Sequence, residues 1–129
     1  MIRIFRASIN AFSGVKACWI NESAFRQEVM LCLALYPVIF FIDATYSDKA
    51  LLFLSLTLVA IVELINSAIE SAVDRIGIEH HELSGRAKDM GAAAVMLTIR
   101  LAFIFTSHIS YQFFKYRFYA DGLFLSSSR

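Results

Sequence analysis

Glu63, Asn66, Glu70 and Asp74 stand in a stretch, residues 59–74, otherwise built of Val, Ile, Leu, Ala and Ser. At about 100° per helical residue the three acids fall within about 20° of one line, with Asn66 about 60° to one side. The outcome is a polar stripe along an apolar helix. Carboxylates at membrane depth are costly and mark ion or substrate sites. The competing reading is a stripe that faces water at a helix end.

Other chemistry-bearing residues stand in the polar segments: Glu22, Glu28, Glu79, Lys88 and Asp89. Several carboxylates with an amide make a hard-oxygen site suited to Mg²⁺, which keeps waters and binds through one or two carboxylates plus substrate phosphates. A Lys beside them is a point charge for phosphate. A further carboxylate, its pKa raised by a low dielectric, can take a proton from a hydroxyl nucleophile. If the helices bring these groups together, the chemistry is metal-assisted phosphoryl transfer, in which positioning and charge neutralisation do most of the catalysis. Neither G-x-x-x-x-G-K-[ST] nor G-x-G-x-x-G occurs, so neither usual phosphate loop is available.

The elements that must position these groups are membrane helices. The chain has 129 residues, enough for one domain, 1–129. A hydrophobic fraction of 58%, a charged fraction of 18% and a mean hydropathy of +0.61 point to an all-α integral membrane protein. The net charge of +1 gives no reason to expect a nucleic-acid partner. Cys18 and Cys32 have neither metal-site nor disulfide-framework spacing and read as ordinary apolar positions.

Residues 1–20 interleave Arg3, Arg6 and Lys16 with apolar residues, so no continuous signal-peptide core is present. Apolar positions 5, 9, 12, 15 and 19 recur at helical spacing, which predicts an amphipathic surface helix over about 3–20. A soluble-core helix would show the same pattern, so this placement depends on the spans that follow. The first span covers about 23–42, with Asn21 as its expected N-cap and Pro37 as its expected kink. Asp43–Lys49 is a short connection. The second span, about 50–76, carries the stripe and stops at Gly77.

A polar connector, 77–91, holds His80 and His81. The third span, about 91–114, is interrupted by Arg100 and His108, and Arg100 is expected to pair with an acid or to snorkel. In the tail, 115–129, Tyr116, Phe118 and Tyr119 suit an interfacial aromatic belt. The adjacent His80 and His81 with Glu82 are weak as zinc-ligand spacing, and solvated loop or nucleotide contact is the competing reading. Arg3, Arg6, Lys16, Arg26, Arg75, Arg86 and Lys88 outnumber Lys49, Lys115, Arg117 and Arg129, seven to four. That bias puts the N-terminus and the 77–91 connector in the cytoplasm.

Three blocks then carry a resemblance. Asn21-Glu22-Ser23-Ala24-Phe25-Arg26-Gln27-Glu28, the run from Glu63 to Gly77, and His81-Glu82-Leu83-Ser84-Gly85-Arg86-Ala87-Lys88-Asp89-Met90-Gly91 resemble the prokaryotic diacylglycerol kinase family. The match covers about residues 12–99 in order, and its first and third blocks are closer to the Gram-negative type than to Gram-positive undecaprenol kinases. The resemblance implies a homotrimer of three-span subunits in the bacterial inner membrane, with active sites shared between neighbours. It implies ATP as co-substrate, Mg²⁺ as cofactor, and diacylglycerol as the phosphoryl acceptor. By the same resemblance Glu63 is the general base and Glu22 and Glu70 hold the metal. Asn66 orients the site, Lys88 and Asp89 address the nucleotide phosphates, and Asp74, Glu79, His81 and Glu82 lie near the nucleotide.

Arg100 and the length of the tail depart from the family pattern, and neither touches the three blocks. Two rival functions share much of the chemistry. An undecaprenol kinase would differ in pocket shape, and a small ion-relay protein would use the acid stripe without needing Lys88 and Asp89.

Overall fold

The computed structural model describes residues 2–77, 79 and 81–127. Regular structure among them is entirely helical: α1 (Ile2–Asn21), α2 (Ser23–Phe41), α3 (Tyr46–Ile76) and α4 (Glu82–Ser127). Three segments, Ser23–Phe41, Tyr46–Ile76 and Glu82–Lys115, are long and apolar enough to cross a membrane. The expected all-helical, three-span content is present. Residues such as Ile78 and His80, and the tail residues Ser128 and Arg129, lie outside the described residues. The side chains of Tyr116 and Tyr119, assigned to an aromatic belt, also lie outside them, whereas that of Phe118 is exposed.

Helix ends explain where the boundaries fall. Asn21 belongs to α1, and its Nδ2 donates back to the Ala17 carbonyl at 2.9 Å. Glu22, with extended backbone, is the N-cap of α2, and its side chain makes no capping bond. The N-cap therefore lies one residue later than expected. The Arg26 guanidinium reaches back to the carbonyls of Trp19 and Ile20 at 2.9 and 3.0 Å. A cation on the first turn of α2 thus satisfies orphan carbonyls at the end of α1, where the helix dipole favours it.

The next turn is shorter than the sequence indicates, because α3 starts at Tyr46 rather than near Ala50. Thr45 is its N-cap: Oγ1 accepts from the Asp48 backbone N–H at 3.2 Å and donates to Asp48 Oδ2 at 2.7 Å. Lys49 Nζ donates to the Phe40 carbonyl at 3.0 Å and closes the end of α2. Pro37 lies inside α2 without ending it. At the far end Gly77 follows α3 in extended conformation, so no left-handed glycine turn terminates it.

The largest departure concerns α4, which begins at Glu82 rather than near residue 91. His81 Nδ1 accepts from the Leu83 N–H at 3.2 Å and the His81 carbonyl accepts from the Gly85 N–H at 3.0 Å. These contacts start the helix inside the segment read as a connector. The helix then passes through Arg100 and His108 without interruption and continues to Ser127. His108 hydrogen-bonds Gln112 one turn on, at 2.9 Å.

Helix α3 is the common partner, packing against α1, α2 and α4. At 31 residues it is about 46 Å long, against a hydrocarbon core of about 30 Å. In a bilayer a helix of that length would tilt or carry one end into the interfacial region. At the Thr45 end, Ile39 of α2, Leu52 of α3 and Ile109 of α4 form an apolar cluster with Tyr36, Ala44 and Leu56 around it. Tyr36 adds a hydrogen bond to Thr57 at 2.9 Å and a ring contact with Phe53. The other end, where α1, the start of α2 and the start of α4 gather on α3, holds the polar stripe.

Candidate active site

The stripe is buried where it enters the bundle. Glu63 and Asn66 are 6% and 7% exposed, Glu70 is half-buried, and Asp74 is exposed one turn further out. Burial of the first two comes from α1, α2 and α4, which close over the second half of α3. The bland reading of a stripe facing water therefore fails at Glu63 and Asn66. It holds in part at Asp74.

Asn66 and Glu70 sit one helical turn apart and are bonded, with Asn66 Nδ2 donating to Glu70 Oε1 at 3.0 Å. That bond fixes the amide orientation, since its oxygen could not face a carboxylate. Asn66 Oδ1 is left buried and without a hydrogen-bond partner. So is Oε2 of Glu28. Buried acceptors in this state are costly in a fold and are expected where something else is to be bound.

Four carboxylates from three segments are linked in pairs by electrostatic reach at this end of the bundle. Glu63 lies within electrostatic reach of Glu70 and Glu22, and Glu28 lies within reach of Glu63. The Arg26 guanidinium donates to the α1 carbonyls rather than to these acids. Lys88 of α4 faces the group, ion-paired to Asp74 and within reach of Glu70. Its side chain is 39% exposed and that of Asp74 is 65% exposed. An ion pair this wet contributes little to stability, which leaves recognition as its larger role.

Two hollows flank the carboxylates. A cleft of about 390 Å³ between α3 and α4 is lined by Asp74, Gly77, Glu79, His81, Ser84 and Lys88. A second hollow, of about 420 Å³, lies between α1 and α3 and is walled mostly by small or apolar side chains, with Glu22 at its edge. Cys18 lies on that wall. Burial pushes its thiol pKa up, Glu22 and Glu63 add to the effect, and a hydrogen bond with Ser67 opposes it.

Glu82 and Asp89 are exposed on α4. Asp89 stands about 100° round the helix from Lys88, turned from the face that meets Asp74. Within one chain, Glu22, Glu63, Asn66, Glu70, Asp74 and Lys88 are thus brought together. Glu79 and His81 share the cleft, and Asp89 and Glu82 stand apart from it.

A model of the prokaryotic diacylglycerol kinase family matches residues 9–110. The chain belongs to the prokaryotic diacylglycerol kinase family. It is 51% identical over 102 residues to the diacylglycerol kinase of Escherichia coli K12, covering 79% of this chain and 84% of that one. It is 47% identical over 89 residues to the enzyme of that name from Haemophilus influenzae, covering 69% and 75%. A Pseudomonas aeruginosa diacylglycerol kinase is 46% identical over 99 residues, covering 75% and 80%. The family match takes in every residue of the site and stops inside α4, so the stretch from Tyr111 to the end lies beyond it.

A family of kinases implies ATP, and its members' phosphoryl chemistry raises the question of a metal. Among the described residues no three His, Cys, Asp or Glu side chains converge as a closed metal cage. This bears on zinc more than on magnesium, which needs only one or two protein carboxylates. The oxygen-only donor set, its excess of carboxylates and the orphaned Asn66 and Glu28 oxygens fit a hard divalent cation. The ring nitrogen Nδ1 of His81 is occupied by the Leu83 N–H, and His80 lies outside the described residues.

Two contributors were not assigned from the sequence pattern. Glu28 was counted among the acids but given no place, and its approach to Glu63 depends on how α2 packs on α3. Gly91 was read as the start of a span; it is buried against Asn66. A glycine inside an apolar helix pattern marks close packing, and that signal was available.

Proposed function

We propose that this chain transfers the γ-phosphoryl group of ATP to the free hydroxyl of sn-1,2-diacylglycerol, yielding phosphatidate and ADP. The observation that carries the reading is the buried Glu63, set beside the bonded Asn66–Glu70 pair, with Lys88 held by Asp74 at the outer end of the stripe. The names of the relatives supply the acceptor.

In this reading a carboxylate oxygen of Glu63 takes the proton of the lipid hydroxyl as the hydroxyl oxygen forms its bond to the γ-phosphorus. The bond from the γ-phosphorus to the bridging oxygen breaks, and ADP leaves. Burial keeps Glu63 from bulk water, so the acceptor hydroxyl meets a base that is poorly solvated and needs little reorganisation. Lys88, released from Asp74 or bridging from it, and Asp89 address the nucleotide phosphates. Asp74, Glu79, His81 and Glu82 complete the nucleotide end. Glu70 and Glu22 would hold Mg²⁺, whose charge offsets that of the phosphates when it is bound. Asn66 orients Glu70 through its amide hydrogen bond.

The surrounding assembly follows the same reading. α1 lies on the membrane surface as an amphipathic helix, the N-terminus faces the cytoplasm, and the protein resides in the bacterial inner membrane. Subunits form a homotrimer and share residues between sites, which gives Asp89 and Glu82 a partner that one chain lacks. Support comes from the broad exposed apolar faces of α2 and α4, including Leu33, Phe40, Met96 and Phe103. In a bilayer these faces are covered by lipid or by neighbouring helices.

The test is a choice of acceptor. Purified protein in mixed micelles is given ATP labelled at the γ-position with diacylglycerol or with undecaprenol. Label in phosphatidate is expected, dependent on Mg²⁺ and lost with chelator. Preferential label in undecaprenyl phosphate would replace the acceptor, and label in neither would favour the relay reading.

A further inference from the structure

We infer that Gly91 is a positioning residue, the seat on α4 that holds the Asn66 amide in the orientation from which it reaches Glu70. The inference rests on the reading of Asn66 and Glu70 as site residues, and its geometric part stands without it.

The approach is asymmetric in a way that singles out the amide. A Cβ at Gly91 would lie 2.1 Å from Asn66 Oδ1 and 3.2 Å from its Cγ, yet 3.9 Å from its Cα. The last distance is an ordinary van der Waals contact. The backbones of α3 and α4 therefore have room for a methyl group, and the amide does not. Asn66 Oδ1 occupies the volume that any side chain at position 91 would fill.

Asn66 is 7% exposed, and neighbouring residues leave its Oδ1 buried and unpartnered. Its terminal torsion is broad, so nothing in the side chain itself fixes the amide. What fixes it is the bond from Nδ2 to Glu70 Oε1 on one side and the Gly91 backbone on the other. Rotating the amide away from a methyl group at 91 carries Nδ2 off its line to Glu70. Gly14, Gly77 and Gly85 have nothing within 4 Å of the corresponding point, so this packing is particular to Gly91 among those four.

Gly91→Ala replaces the least constrained residue of the helix with the best helix former, so α4 itself gains from the change. The expected effect is a fall in kcat on the order of ten- to hundredfold, the scale set by a misplacement of about 1 Å. The apparent requirement for Mg²⁺ is expected to rise with it, at unchanged helix content. Two readouts separate positioning from simple packing. In protein labelled with ¹⁵N at its three asparagines, Asn10, Asn21 and Asn66, Gly91→Ala should move the side-chain amide pair of Asn66 and leave the other two in place. Glu70→Gln should move the same pair.

Against an Asn66→Ala background, Gly91→Ala should cost no further activity, because the displaced group is gone. An Asn66 amide pair that stays put in Gly91→Ala, or a cost that persists in the double variant, would overturn the inference. Should the wild-type protein phosphorylate no lipid, the functional reading fails while the amide resonances still decide the geometry.

Discussion

The two ends of the bundle are built on opposite principles. At the Thr45 end, Ile39, Leu52 and Ile109 meet in an apolar cluster, and the helix termini are closed by Thr45, Asp48 and Lys49. Polar groups there have partners, as in the bond between Tyr36 and Thr57. At the other end the buried residues of α3 are Glu63, Asn66 and Ser67, carboxylates crowd one another, and two buried oxygens have no partner. One end is arranged to hold the helices together. The other gives up stability to keep unsatisfied groups in place, as real proteins do at functional sites.

That contrast can be broken by substitutions chosen one end at a time. Short of replacing Glu63 itself, the largest effect on activity is expected from Asn66→Ala, which frees Glu70 from its partner. Turnover should fall on the order of tenfold to a hundredfold while thermal unfolding in detergent moves little. If instead the protein unfolds several degrees earlier at normal turnover, the polar end is structural after all.

The mirror experiment is Ile109→Ala at the apolar end. Lipid tails are as apolar as the side chain removed, so only lost packing counts, and the cavity share of the usual cost is about 1–2 kcal/mol. A lowered unfolding midpoint with kcat kept below that midpoint would fit, whereas a selective loss of kcat would not. Thr45→Ala should lower stability by about 1 kcal/mol, the typical worth of an N-cap, with no change in KM for ATP.

The smallest effect on stability is expected from Asp74→Asn, since its pair with Lys88 is solvated. The change should show instead in KM for ATP, because Lys88 is then unheld. Steady-state kinetics with varied ATP would reveal it, and a change confined to the unfolding midpoint would assign the pair to stability.

The same contrast explains how much of the molecule could be read from its residues. Three apolar helices and the register of Glu63, Glu70 and Asp74 were legible, because hydropathy and a 3.6-residue period are properties of single segments. Helix ends were less so. Asn21 has the chemistry of an N-cap, but its amide turned back to Ala17 and Glu22 took the position. Thr45 with Asp48 was a readable cap that the polar composition of 43–49 obscured. The start of α4 at Glu82 depends on the His81 ring, a partner that carries no strong propensity signal.

At the site, residue types were visible and contacts were not. Asp74 had no explanation as a member of the stripe. It acquires one through Lys88, which lies fourteen positions along the chain and on another helix. The approach of Glu28 to Glu63 and the fit of Asn66 against Gly91 likewise exist only once α2 and α4 have docked on α3.

The central claim is that Glu63, buried at the deep end of the stripe, is the base for the acceptor hydroxyl. Its most direct test is single-turnover transfer of labelled phosphate to diacylglycerol by Glu63→Gln beside the wild-type protein, with helix content and oligomer size measured on both. A fall in rate of about a hundredfold or more, the range for loss of a general base, with fold and assembly unchanged is predicted. Transfer at the wild-type rate by the folded variant would contradict it.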